Sequence, residues 1–111
     1  MKIYISGKIT GYELSDAKQK FKESETYLLS HGFTPINPFD LSEFHPDKTW
    51  KDYMIEDIKG LFDCDGIFMQ ADWQGSKGAR VEHAIAKELG LVIFYESSFI
   101  DQKKLNQTTT E

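Results

Sequence analysis

Residues 66–95 read GIFMQADWQGSKGARVEHAIAKELGLVIFY, and this stretch decides the fold. Gly66 to Met69 is an apolar run of strand length. Gln70 to Gly78 is polar and glycine-bearing, the composition of a loop. From about Ala79 to Leu89 apolar residues recur at helical spacing, and Gly90 supplies the stop. Leu91 to Tyr95, rich in β-branched and aromatic residues, reads as a strand again. Strand, helix and strand in succession make a right-handed crossover with parallel strands.

The same alternation extends towards the N-terminus. Lys2 to Ser6 reads as a buried strand that runs into Gly7. From Glu13 to His31 the apolar residues Leu14, Ala17, Phe21 and Leu28 mark one face of a helix, and Gly32 ends it. Phe33 to Asn37 is a second short strand closed by Pro38. Pro38 to Lys48 reads as a loop, and Thr49 caps a second helix from Trp50 to about Phe62. Beyond the last strand, Ser97 to Leu105 suits a short helix. The expectation is an α/β fold, a flavodoxin-like or Rossmann-like three-layer sandwich around a four- to five-stranded parallel sheet. The 111 residues suit a single domain over 1–105 followed by a flexible polar tail, 106–111. Ligands of such sheets sit beyond the carboxyl ends of the strands where the strand order reverses. Those ends are Ser6 to Gly11 and Gln70 to Gly78.

Composition narrows the ligand. A hydrophobic fraction of 40%, with eight Phe, five Tyr and two Trp, supplies a core without disulfides or a structural metal. The one cysteine, Cys64, builds neither a disulfide framework nor a metal cluster and reads as a reduced, buried thiol. His31, His45 and His83 lack metal-ligand spacing and read as surface or loop residues, so no metal or other cofactor is expected. The N-terminal MKIYISG lacks the apolar run of a signal peptide, and no stretch approaches the roughly 20 apolar residues of a membrane helix. A cytoplasmic location without membrane contact follows. A formal charge of −5 disfavours a nucleic-acid polymer, whose binding rests on many Lys and Arg contacts, and favours a small molecule. The same charge also serves solubility.

Two carboxylates break the apolar stripes. On the last helix the inward face should hold Gly78, Val81, Ile85, Ala86 and Leu89, and Glu82 falls among them. Either Glu82 faces inward, where a buried charge needs a partner, or it is a first-turn glutamate facing solvent or closing a cap. On the second helix Trp50, Tyr53, Met54, Ile58 and Leu61 define a stripe that Asp57 interrupts. Asp57 is either a second inward carboxylate or a boundary residue paired with a lysine or capping a neighbouring element. Paired carboxylates in different environments are the equipment for nucleophile and acid work at a glycosidic bond. The loop DWQGSKGAR opens a helix whose free amides, with Ser76, suit a phosphate or carboxylate; the alternative is a Gly-rich turn capped by Ser76. Trp73 fits either a stack on a base or an aromatic lid over the sheet edge.

Taken together, YISGKITG, IEDIKGLFDCDGIF and DWQGSKGARVEHAIAKELG resemble the nucleoside 2-deoxyribosyltransferase superfamily. The match is closest to a branch of short bacterial and phage proteins sharing W-x-x-S-x-G-A-x-x-E, and the chain is also similar to the 2-deoxynucleoside 5-monophosphate N-glycosidases. The resemblance implies Glu82 as catalytic nucleophile, Asp57 as the carboxylate near the base, and Tyr4 as the residue that orients Glu82. It matches Ser76 to a phosphate contact and Gly7 and Gly11 to the glycines of the first loop, and it implies a homodimer or larger homo-oligomer; Ser6, Lys8, Trp73 and Gly78, from the two strand-end loops, complete the candidate contacts to a nucleoside or nucleotide. Where the monophosphate glycosidases carry a serine and an arginine for phosphate, this chain has Lys8 and Thr10, so that either Lys8, Lys77 or Arg80 replaces the lost donors or the substrate is a nucleoside or an unusual nucleotide. Two other functions stay open: a non-catalytic nucleotide-binding module serving as sensor or sponge, and a glycohydrolase of another nucleotide such as NAD.

Overall fold

In a computed structural model that describes residues 1–43 and 45–98, β1 (Lys2–Ser6) lies at the centre of the fold. It leads into α1 (Leu14–Ser30) and β2 (Thr34–Ile36), then α2 (Pro38–Leu41) and α3 (Trp50–Phe62). The chain continues through β3 (Gly66–Met69), a 3-10 turn (Trp73–Gly75), α4 (Lys77–Leu89) and β4 (Val92–Tyr95). The four strands are all parallel, in the order β2-β1-β3-β4. This is the α/β architecture expected, a flavodoxin-like three-layer sandwich.

Alternation along the strands divides the core into two halves. Ile3 and Ile5 of β1 and Phe68 of β3 pack under α1 against Phe21 and Leu28. Tyr4, Ile67 and Met69 point the other way and meet Leu61 of α3 and Ala79 and Ala86 of α4. Each large side chain buried here stabilises the fold by roughly 1.5–3 kcal/mol over its exposed state. Strand order reverses beside β1, whose neighbours β2 and β3 are reached by crossovers running in opposite directions, so a crevice opens at the carboxyl ends of β1 and β3. Gly7 sits at that point because the backbone passes very close to Gln70. A Cβ there would stand 1.9 Å from Gln70 Oε1, and Gln70 cannot swing away, since its Nε2 donates to Ser24 Oγ at 2.9 Å and to the Lys20 carbonyl.

Several boundaries differ from the sequence reading. Residues 38–48 are not all loop: α2 forms because Asn37 accepts from the Phe39 amide as a cap and Pro38 takes the first helical position, where a missing N–H costs nothing. Its Phe39 ring meets Phe21 edge-on at 5.2 Å. α4 begins at Lys77 rather than Ala79, because Ser76 is its cap. The buried face of α4 also differs from the expected stripe, with Ala79 buried and Leu89 41% exposed. Gly90 ends α4 at φ 72°, a conformation only glycine takes without strain. Residues 96–98 are helical; the rest of the short helix expected to Leu105, and the tail 106–111, lie outside the described residues. Among the described residues no helix is long and apolar enough to cross a membrane.

Candidate active site

Tyr4 and Ser6, two apart on β1, share the face turned to α4, and both hydroxyls reach Glu82. Tyr4 O–H donates to Glu82 Oε2 at 2.5 Å, and Ser6 O–H donates to Oε1 at 2.8 Å. Glu82 is only 5% exposed. It is the sixth residue of α4, not a first-turn residue facing solvent, so it lies beyond the turn in which the helix dipole favours negative charge. No cation pairs with it among the described residues. Burial therefore pushes its carboxyl up to about 7, against the two hydroxyl donors, and the charge of Asp57 adds to the rise. The Tyr4 phenol is held well above its ordinary value by burial and by the same two carboxylates, and so remains a donor.

Asp57 and Glu82 line one cleft of about 1130 Å³, slightly larger than most small-ligand sites. Asp57 comes from the middle of α3 and has no hydrogen-bond partner among the described residues. Burial raises its carboxyl to about 7, with the charge of Glu56 adding and that of Lys48 opposing. Two inward carboxylates thus face one cavity, each holding its proton near neutrality. Phe39, Trp50 and Tyr53 supply an apolar wall, and Lys77 Nζ lies 4.4 Å from the centre of the Trp50 ring.

The rim is fixed by a different carboxylate. Asp72, in the loop after β3, accepts from the Lys8 amide at 3.1 Å, from Tyr12 O–H at 2.7 Å and from Lys20 Nζ at 2.6 Å. Lys20 Nζ also donates to the Lys8 carbonyl. Four bonds therefore tie the loop after β1 to α1 and to the loop after β3. Burial alone would raise the Asp72 carboxyl, but the donors and the charge of Lys20 outweigh it and hold the group below its ordinary value.

A family profile described as Domain of unknown function (DUF4406) matches residues 1–95. The chain belongs to the DUF4406 family. No curated protein matches the chain. The span shared with the family contains the whole of this site, from Tyr4 to Glu82.

Within this DUF4406 domain the residues singled out in the sequence fall into three groups. Glu82, Asp57, Gly7, Lys8, Ser76 and Gly78 line the cleft. Tyr4 and Ser6 are not on its wall, and both of their hydroxyls donate to Glu82. Gly11 and Trp73 are off the cleft wall. Gly11 stands in an exposed turn at φ 96°, beside the side chain of Lys8, and the Trp73 ring stacks on His83 at 4.2 Å and packs towards Tyr95. His83 is correspondingly not a surface residue: it is half-buried, and its Nε2 lies 2.8 Å from Tyr95 Oη. Ser76 Oγ accepts from the Ala79 amide as the α4 cap. Of the cations proposed for phosphate, Arg80 donates to the Gln74 carbonyl and Lys77 lies on Trp50, while Lys8 makes no ion pair among the described residues. Among those residues no group of three or more His, Cys, Asp or Glu gathers as a metal site.

The sequence reading missed Asp72, Lys20 and Tyr12; the bonds of Asp72 to Lys20 and Tyr12 span 52 and 60 positions and leave no periodic signal. It also gave Trp50 and Tyr53 no place in the cleft, although both share the stripe that exposed Asp57.

Proposed function

We propose that this DUF4406 domain breaks the N-glycosidic bond of a 2-deoxynucleoside or its 5-monophosphate, releasing the base to water or transferring the sugar to another base. The observation that carries the reading is Glu82: a buried carboxylate with no cation paired to it among the described residues, gripped by two hydroxyls at the floor of a cleft of about 1130 Å³ that it shares with Asp57. Neutral donors orient such a group without quenching it as a bound cation would. The resemblance of the motifs to the nucleoside 2-deoxyribosyltransferase superfamily supports the same roles.

A Glu82 oxygen gives an electron pair to the anomeric carbon, and the carbon–nitrogen bond breaks towards the base. Asp57, directly or through water, delivers the proton that the leaving nitrogen needs. Water or an acceptor base then attacks the same carbon, its proton passes to Asp57, and the Glu82 carboxylate is released. The cycle requires Glu82 ionised and Asp57 protonated at once. With both carboxyls near 7, that combination is most populated near neutrality, so the rate should peak there and fall on either side.

Incubation with dAMP, dGMP, dCMP, dTMP, dUMP and the matching nucleosides, followed by chromatography for free base, tests the reading. Release from at least one, faster than from the nucleotide alone, is expected. Tight binding of one that returns intact would contradict it and favour a binding module.

A further inference from the structure

The two donors on Glu82 are unequal. Tyr4 is a rigid phenol deep in the sheet and sits on Oε2, whereas Ser6 carries a small rotatable hydroxyl on Oε1. Ser6 is also two residues further along β1 towards the crevice, roughly 7 Å at the usual rise of a strand. We propose that Ser6 is a positioning residue that presents Oε1 of Glu82 as the attacking oxygen, while Tyr4 holds Oε2. The assignment rests on the glycosidic reading above and adds which oxygen reacts and what aims it.

Charge flow explains the division. As Oε1 bonds to the anomeric carbon, its electron pairs are drawn towards that carbon, so the hydrogen bond from Ser6 weakens as the new bond forms. A strong fixed donor there would cost nucleophilicity. A serine hydroxyl is a single neutral donor that turns about its C–O bond to follow Oε1 as the new bond forms. Oε2 meanwhile becomes the carbonyl oxygen of the glycosyl ester, still an acceptor, and the Tyr4 bond persists through the step. Among the described residues, the titratable groups bearing on Glu82 are the neutral Tyr4 phenol and the Asp57 carboxyl of α3, and Cys64 bears on Tyr4. On α4 itself the neighbouring side chains are engaged elsewhere, Arg80 on the Gln74 carbonyl and His83 on Tyr95.

Ser6→Ala removes one oxygen and leaves the strand unchanged. Titration of the Glu82 side-chain carboxyl by carbon-13 NMR should then show its midpoint, about 7 in the parent, raised by about one pH unit. The acid limb of the kcat profile should move with it, and kcat near neutrality should fall about tenfold with KM within about twofold. Ser6→Thr, which keeps the hydroxyl, should restore both. An unmoved midpoint, or a Ser6→Ala enzyme with unchanged kcat, would overturn the assignment while leaving the glycosidic reading intact. A raised midpoint in a protein whose parent releases no base would overturn the glycosidic reading, and with it the attacking oxygen, while leaving Ser6 as the group that tunes Glu82.

Discussion

The floor and the rim of the cleft are each organised by one carboxylate bonded to one tyrosine, and the two behave in opposite ways. Glu82 on the floor accepts hydrogen bonds from the Tyr4 and Ser6 hydroxyls, pairs with no cation among the described residues and holds its own proton up to about 7. Asp72 on the rim takes its bonds from Tyr12, Lys20 and the Lys8 amide, and holds its proton less tightly than an ordinary aspartate. Its side chain is 24% exposed, and the Lys20 ammonium lies at 2.6 Å. What separates the two carboxylates is burial and the presence of a cation, rather than the number of bonds received. The rim is built to stay charged and closed, and the floor to change charge.

Replacing each carboxylate should therefore give opposite patterns. Glu82→Gln keeps the side-chain shape and removes the attacking charge, so base release should fall at least about a hundredfold. Stability should rise at the same time. A carboxyl whose folded value lies above its unfolded one favours folding fully only at acid pH, and that contribution is lost as pH climbs from about 4.5 to about 7. At about 1.4 kcal/mol per unit, the buried charge costs roughly 3 kcal/mol above neutrality, which the amide avoids. Thermal melts should accordingly place Glu82→Gln above the parent at pH 8 and level with it near pH 4.5. A lower melting temperature with turnover retained would make Glu82 structural.

Asp72→Ala should do the reverse on a smaller scale. Loss of the three bonds should cost about 1–3 kcal/mol, because Lys20 and the Lys8 amide lose an acceptor in a partly shielded place. Here the linkage has the other sign: the contribution of Asp72 is present above the ordinary aspartate range and is lost as pH falls below it. The midpoints of the rate profile should stay where they are. A shift in those midpoints would mean that the rim sets the chemistry as well as the shape, and the contrast between the two carboxylates would fail.

The fold was legible because periodicity is a local signal. The parallel order and the positions of α1, α3 and β3 follow from apolar spacing and glycine stops, and Glu82 and Asp57 were visible as polar residues inside apolar stripes. What escaped was carried by single residues or by distant partners. α2 rests on Asn37 followed by Pro38, a cap and a first helical position that are easily taken for a loop. Ser6 looked like a ligand contact because it ends β1, yet alternation sends its hydroxyl towards α4. Asp72 belongs to no stripe, and its partner Lys20 is 52 positions away on another element. Trp73 in a polar loop suits either a stack on a base or a lid over the sheet edge, and the 3-10 turn directs its ring onto His83.

The central claim, that Glu82 attacks sugar, can be read from a single peptide. Trypsin cutting after Arg80 and Lys87 releases residues 81–87, VEHAIAK, in which Glu82 is the only side-chain carboxylate. Rapid acid quench during turnover of the best substrate, or reaction with an analogue bearing fluorine at the sugar C2 to slow release, should leave this peptide heavier by one sugar, and Glu82→Gln should abolish the increment. Base release with the sugar on another peptide, or with no labelled peptide while the analogue is consumed, would contradict Glu82 as the nucleophile.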